Sequence, residues 1–107
     1  MIGRLWSGRT PPSNADDYEA FLRDDLLPEV ARLDGARGAY VLRRAVPGGV
    51  EFVTLTLFDS LEAVRRFAGA DADVPVIEPR AAELLAEYDE RVRHFEVVVR
   101  QADPPSS

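Results

Sequence analysis

One histidine, His94, stands in this 107-residue chain, and it is the only side chain whose ordinary pKa lies near neutrality. That makes it the candidate catalytic base. The run HFEVV alternates, so Glu96 falls on the same strand face as His94. In the opening run IGRLWSG the same alternation sets Arg4 beside Trp6. Across a third stretch, GAYVLRRAVPGGVEFVTLTLF, the phase groups Tyr40, Leu42, Arg44, Phe52, Thr54, Thr56 and Phe58. Arginine suits a carboxylate or phenolate, so Arg4 and Arg44 are candidate anion-binding groups. Trp6, Tyr40, Phe52, Phe58 and the threonines would wall a pocket for a flat aromatic molecule. The candidate site is therefore His94 as base, with Arg4, Trp6, Tyr40, Arg44, Phe52, Thr54, Phe58 and Glu96 binding substrate. Each residue also has a plainer role: His94 as a hydrogen-bonded strand end, Arg4 paired with Glu96, and the aromatics as a subunit interface.

Other chemistries are excluded by residue type. Cysteine is absent, and one histidine without cysteine argues against a zinc site. Asp71 and Asp73 lack the remaining ligands of a calcium loop. Neither a P-loop nor a dinucleotide fingerprint occurs. A net charge of −6 opposes binding to a phosphate backbone. No run is long enough to span a membrane, and residues 1–8 do not form a signal peptide. The expected location is the cytoplasm.

The elements that must position these residues follow from periodicity. Residues 1–8 predict a first strand, ended by Thr10-Pro11-Pro12. Ser13-Asn14 predict a helix cap, and Tyr18, Phe21, Leu22, Leu26, Val30 and Leu33 an apolar helical stripe. Pro28 predicts a kink or break near Leu27, and Gly35 a stop. Pro47-Gly48-Gly49 then predict a hairpin loop in which Arg44 faces Phe52 and Leu42 faces Thr54. Arg43 has the opposite phase and would extend past the helices. Asp59-Ser60 predict a helix running to Gly69, and Pro79 opens another reaching to about Arg91. His94 to Arg100 predict the last strand, paired with the first.

The order β-α-β-β-α-β, with the second helical segment divided in two, predicts an α+β, ferredoxin-like domain. Its four-stranded antiparallel sheet would carry helices on one face, spanning 1–101, with residues 102–107 a disordered tail. The purer apolar face of each strand would meet the helices. The mixed face would be left open, and four large aromatics there exceed what a monomer leaves uncovered. A second sheet across a two-fold axis is the simplest cover, giving a homodimer closed like a barrel.

Four stretches carry a family resemblance: the strand with Trp6-Ser7-Gly8, YEAFLRDDLLPEVARLDGARGAYVLRR, FVTLTLFDSLEAVRRFAG and EPRAAELLAEYDERVRHFEVV. Together they resemble the dimeric α/β-barrel proteins of the antibiotic-biosynthesis monooxygenase type. The resemblance implies cofactor-independent oxygenation of an aromatic or polyketide-like substrate. A non-catalytic dimeric binding domain is the alternative. A haem-binding or haem-degrading protein, with His94 as axial ligand, is the third choice. Catalytic sets known in the family, which pair an Asn near the first strand with Trp and His, do not map here residue by residue. Asn14, Trp6 and His94 are each the sole residue of their type.

Overall fold

The computed structural model describes residues 1–102. Of the expected tail, all but Ala102 lies outside the described residues. Strand β1 (Ile2–Thr10) leads through a 3-10 turn (Pro12–Asn14) into helix α1 (Ala15–Phe21). A π-helical turn (Leu22–Leu26) joins it to α2 (Leu27–Ala31). Strands β2 (Ala36–Val46) and β3 (Gly49–Phe58) form the hairpin. Helices α3 (Leu61–Ala68) and α4 (Pro79–Leu84) precede two short strands, β4 (Glu87–Tyr88) and β5 (Arg93–Glu96). Among the described residues, no helix is long and apolar enough to cross a membrane.

The sheet is antiparallel with order β2-β3-β1, and β4 and β5 both lie along the far edge of β1. That is the predicted α+β plan, with five strands instead of four because β4 forms where the third helix was expected to continue. The third helix stops at Leu84, short of the expected Arg91, and β5 ends at Glu96, short of Arg100. The cause is the unpaired edge of β1. Ala86 N–H donates to the Arg9 carbonyl and Asp89 N–H to the Ser7 carbonyl, at 2.8 and 2.9 Å. These bonds satisfy β1 where a continuing helix would leave its edge open.

Pro28 explains the divided first helix. Proline has no N–H and crowds the preceding turn, so regular bonding fails around it. The Leu27 N–H reaches back five residues to the Leu22 carbonyl, which inserts the π turn. Asn14 does occupy the cap position of α1, but its side chain makes no cap bond. It donates instead to the Leu84 carbonyl at 3.1 Å and ties α1 to α4.

The hairpin differs from expectation by one residue. Val46 pairs with Gly49, leaving a two-residue turn of Pro47 and Gly48. Proline supplies the fixed φ of the first turn position, and Gly48 at φ +79° supplies the second. Gly49 is thereby drawn into β3, where a Cβ would collide with the Thr10 carbonyl. Arg43, not Arg44, now faces Phe52, and Val41, not Leu42, faces Thr54.

This shift sorts the faces differently. Arg4 pairs with Thr56, Trp6 with Thr54, and Ile2 with Phe58, so these residues share one face. It is the helix-facing one: Phe52 packs with Tyr18 and Phe21 of α1, and Phe58 with Val30, Ala63 and Val64. Arg4, Trp6, Phe52, Thr54, Thr56 and Phe58 of the expected mixed face therefore lie under the helices, correcting the expectation that they stay open. The reason is that Arg4, Thr54 and Thr56 surround a cavity inside the helix–sheet layer. Tyr40, Leu42 and Arg44 sit on the opposite face with Leu5, Val53 and Leu55. There Tyr40 is 58%, Leu42 55% and Phe95 51% exposed, an apolar surface without a helical cover.

Candidate functional site

A cleft open at one side lies between the sheet and the helices. β1 and β3 form its floor through Arg4, Trp6, Thr54 and Thr56. One wall is the helical run, with Leu22, Leu26, Leu27 and Val30. The π turn lies within this wall, contributing Leu22 and Leu26, and Leu27 follows it directly. The other wall is the connector between α3 and α4, with Pro75, Val76 and Glu78. Most of this surface is apolar and a few polar groups interrupt it, the usual make-up of a small-molecule site.

Arg4 organises the connector. It is 5% exposed. Its Nη1 donates to the Ala72 carbonyl and its Nη2 to the Val74 carbonyl at 3.1 Å. A second Nη1 bond, 2.9 Å long, goes to His94 Nε2. Since guanidinium only donates, Nε2 must accept, and the ring proton sits on Nδ1. Nδ1–H faces Asp73 Oδ1 at 3.0 Å. Burial lowers the Arg4 pKa from its ordinary value, and the Asp73 charge acts the other way. The guanidinium also stands over Phe67, 5.6 Å from the ring centre.

His94 thus sits beside Arg4, as the strand pairing predicts, but both of its nitrogens are engaged. Its side chain is 11% exposed and is not part of the cleft lining. Trp6 and Thr54 line the cleft. Trp6 Nε1 donates to the Asp89 carbonyl at 2.8 Å, and its ring lies 5.7 Å from Tyr88. Phe52 and Phe58 are core residues, one edge-on to Tyr18 and the other stacked on Phe67. Glu96 pairs with Ile2 at the sheet edge and is exposed. Tyr40 and Arg44 lie on the far face, where Arg44 Nε donates to Glu51 at 2.6 Å. Arg43 does extend past the helices, reaching Asp16 and Glu19 of α1.

Glu78 is the functional candidate that sequence reasoning missed. It immediately precedes Pro79, the first residue of α4, and reads as a helix start. In the fold it lines the cleft with its carboxyl pKa raised, first by burial and then by Glu29 and Asp25. Tyr18 also lines the cleft, with burial pushing its phenol up to about 12, so it stays protonated at neutral pH.

No family profile matches the sequence, and no curated protein matches it either. Solved structures do match in fold. The haem degrader MhuD of Mycobacterium tuberculosis, with two haems in its active site, is 19% identical at a TM-score of 0.61, covering 95% of this chain and 100% of its own. A candidate antibiotic biosynthesis monooxygenase from Bacillus cereus is 14% identical at a TM-score of 0.63, covering 98% of each chain. The monooxygenase from the ActVA-Orf6 gene of Streptomyces coelicolor, in complex with nanaomycin D, is 19% identical at a TM-score of 0.53, covering 98% and 92%. The chain has the fold of the antibiotic biosynthesis monooxygenases.

Proposed function

We propose that this chain is a homodimeric, cofactor-independent monooxygenase that takes a flat aromatic or polyketide-like molecule into the helix–sheet cleft. The observation that carries this reading is the cleft itself: apolar walls, a threonine-bearing floor, and in its lining one carboxyl group, Glu78, of raised pKa. The similarly folded Streptomyces protein is a monooxygenase in complex with nanaomycin D. Glu78 takes the role of base that the sequence suggests for His94. It removes a proton from an activated phenol, and the anion delivers an electron to dioxygen in a largely dry site. His94 is a positioning residue, holding Arg4 and Asp73 and through them the connector.

The haem-binding alternative requires an axial ligand on the cleft wall. His94 does not fit that need, since Arg4 occupies Nε2 and Asp73 occupies Nδ1. A non-catalytic binding domain is the second reading, favoured by the same engagement of His94.

Oxygen uptake with a panel of hydroxylated naphthalenes and anthrones tests the proposal. Turnover should fall by about tenfold to a thousandfold in Glu78→Gln, as expected for loss of a general base. Binding without oxygen uptake across the panel would favour the non-catalytic reading.

A further inference from the structure

Most polar side chains that line the cleft are committed to the protein itself. Arg4 donates to Ala72, Val74 and His94. Trp6 Nε1 donates to the Asp89 carbonyl, and the Thr54 hydroxyl donates to the Trp6 carbonyl at 3.4 Å. Tyr18 and Thr56 differ. Both line the cleft, at 1% and 9% exposure, and neither hydroxyl makes a hydrogen bond among the described residues. Nor is either sealed in the core. Among the described residues, the one enclosed side-chain polar atom without a partner is the Thr10 hydroxyl. The oxygens of Tyr18 and Thr56 therefore keep an open side, and the space on that side is the cleft.

Both groups are fixed by their surroundings. The Tyr18 ring, on α1, packs edge-on to Phe52 at 4.9 Å and stacks with Phe21 at 6.3 Å. Thr56 stands on β3 between its strand partners Arg4 and Ala39. The fold draws no hydrogen bond from either hydroxyl. Phenylalanine and valine have nearly the same shapes and would leave no buried oxygen to desolvate. Burial holds the Tyr18 pKa up to about 12, so its proton stays in place to be donated at neutral pH.

We propose that the Tyr18 and Thr56 hydroxyls are the specificity-determining groups of the cleft, selecting a ligand with an apolar body and an uncharged carbonyl oxygen that accepts from them. The inference rests on the cleft being the ligand site and adds the groups that choose and orient the ligand. Both hydroxyls can donate, and a carbonyl oxygen offers two lone pairs without bringing charge. An anion fits less well. Arg4 is the one guanidinium in the lining and is already engaged, so a carboxylate would give up its hydration without return. This reverses the anionic substrate that Arg4 and Arg44 suggest in the sequence.

Four probes of similar shape test this on the intact protein by equilibrium dialysis: acetylnaphthalene, naphthylmethanol, ethylnaphthalene and naphthoate. Trp6 is the only tryptophan and lines the cleft, so a change in its fluorescence places a bound probe there. Acetylnaphthalene should bind about threefold to tenfold tighter than ethylnaphthalene, the net gain of one hydrogen bond, with naphthylmethanol between them and naphthoate weakest. Tyr18→Phe or Thr56→Val alone should narrow the gap between ketone and hydrocarbon. The two together should bring it to about twofold or less. Equal binding of acetylnaphthalene and ethylnaphthalene, as in a cleft whose hydroxyls are served by water alone, overturns the inference and leaves the cleft as the site. An unchanged gap in the double variant removes the role of the two hydroxyls. Naphthoate binding as tightly as the ketone overturns the uncharged class. Binding by none of the four, or binding that leaves Trp6 unaffected, overturns both the inference and the cleft.

Discussion

Tyr18 joins the core to the cleft through one side chain: its ring packs edge-on to Phe52 at 4.9 Å, and it also lines the cavity. An unfolded tyrosine titrates near 10, whereas burial holds this one up to about 12. The fold therefore favours the neutral phenol. Its contribution is complete below about pH 10 and is lost progressively as pH rises toward about 12. Tyr18→Phe should be nearly neutral at pH 7 and less alkali-sensitive by about 2–3 kcal/mol between those limits, measured by urea unfolding. An identical alkaline loss in the variant would remove Tyr18 as the cause. His94 shows how much of a site one residue reveals. Strand pairing placed it beside Arg4, since alternation and edge order are local properties. Asp73 was not legible, because its position depends on how a connector with no periodicity lies across β5.

At the scale of elements, every predicted strand and helix exists, and the errors sit where short-range preferences compete. Pro47-Gly48-Gly49 permits a turn of two residues or three, and one residue decides which face each β2 side chain takes. Only contact of Gly49 with the Thr10 carbonyl, far off in sequence, settles that choice. The hydrophobic pattern could not, because the cavity places Arg4, Thr54 and Thr56 on the helix side where an apolar face was expected. Pro28 was legible as a disruption but not as a π turn that shapes a wall. Replacing it by Ala restores an N–H and removes the reason for five-residue bonding. Pro28→Ala should raise stability by about 1 kcal/mol or more and weaken naphthylmethanol binding, as the wall closes toward a regular helix. Tighter binding in this variant would show that the bend does not shape the cleft.

For the whole molecule, the face bearing Tyr40, Leu42 and Phe95 argues for a second copy of the sheet. Leu42→Glu should convert a species of twice the chain mass into one of single mass by light scattering, with circular dichroism unchanged. A single-mass species in the parent protein at micromolar concentration would sink the dimer. Tyr40 and Leu42 belong to the open face the sequence suggested, whereas Trp6, Phe52 and Phe58 lie on the helix side and Phe95 takes their place, so the inference from uncovered apolar residues is the same. The cleft draws its lining from Arg4 at one end of the chain to Val92 at the other, with the helices, β3 and the connector between. No fragment contains it, so it comes into being only when the last edge of β1 is occupied. A molecule recognised there binds the completed fold and nothing earlier. Its affinity therefore adds to the global unfolding free energy. Thermal denaturation becomes a screen for ligands, and proteolytic resistance a measure of occupancy, before any reaction is known.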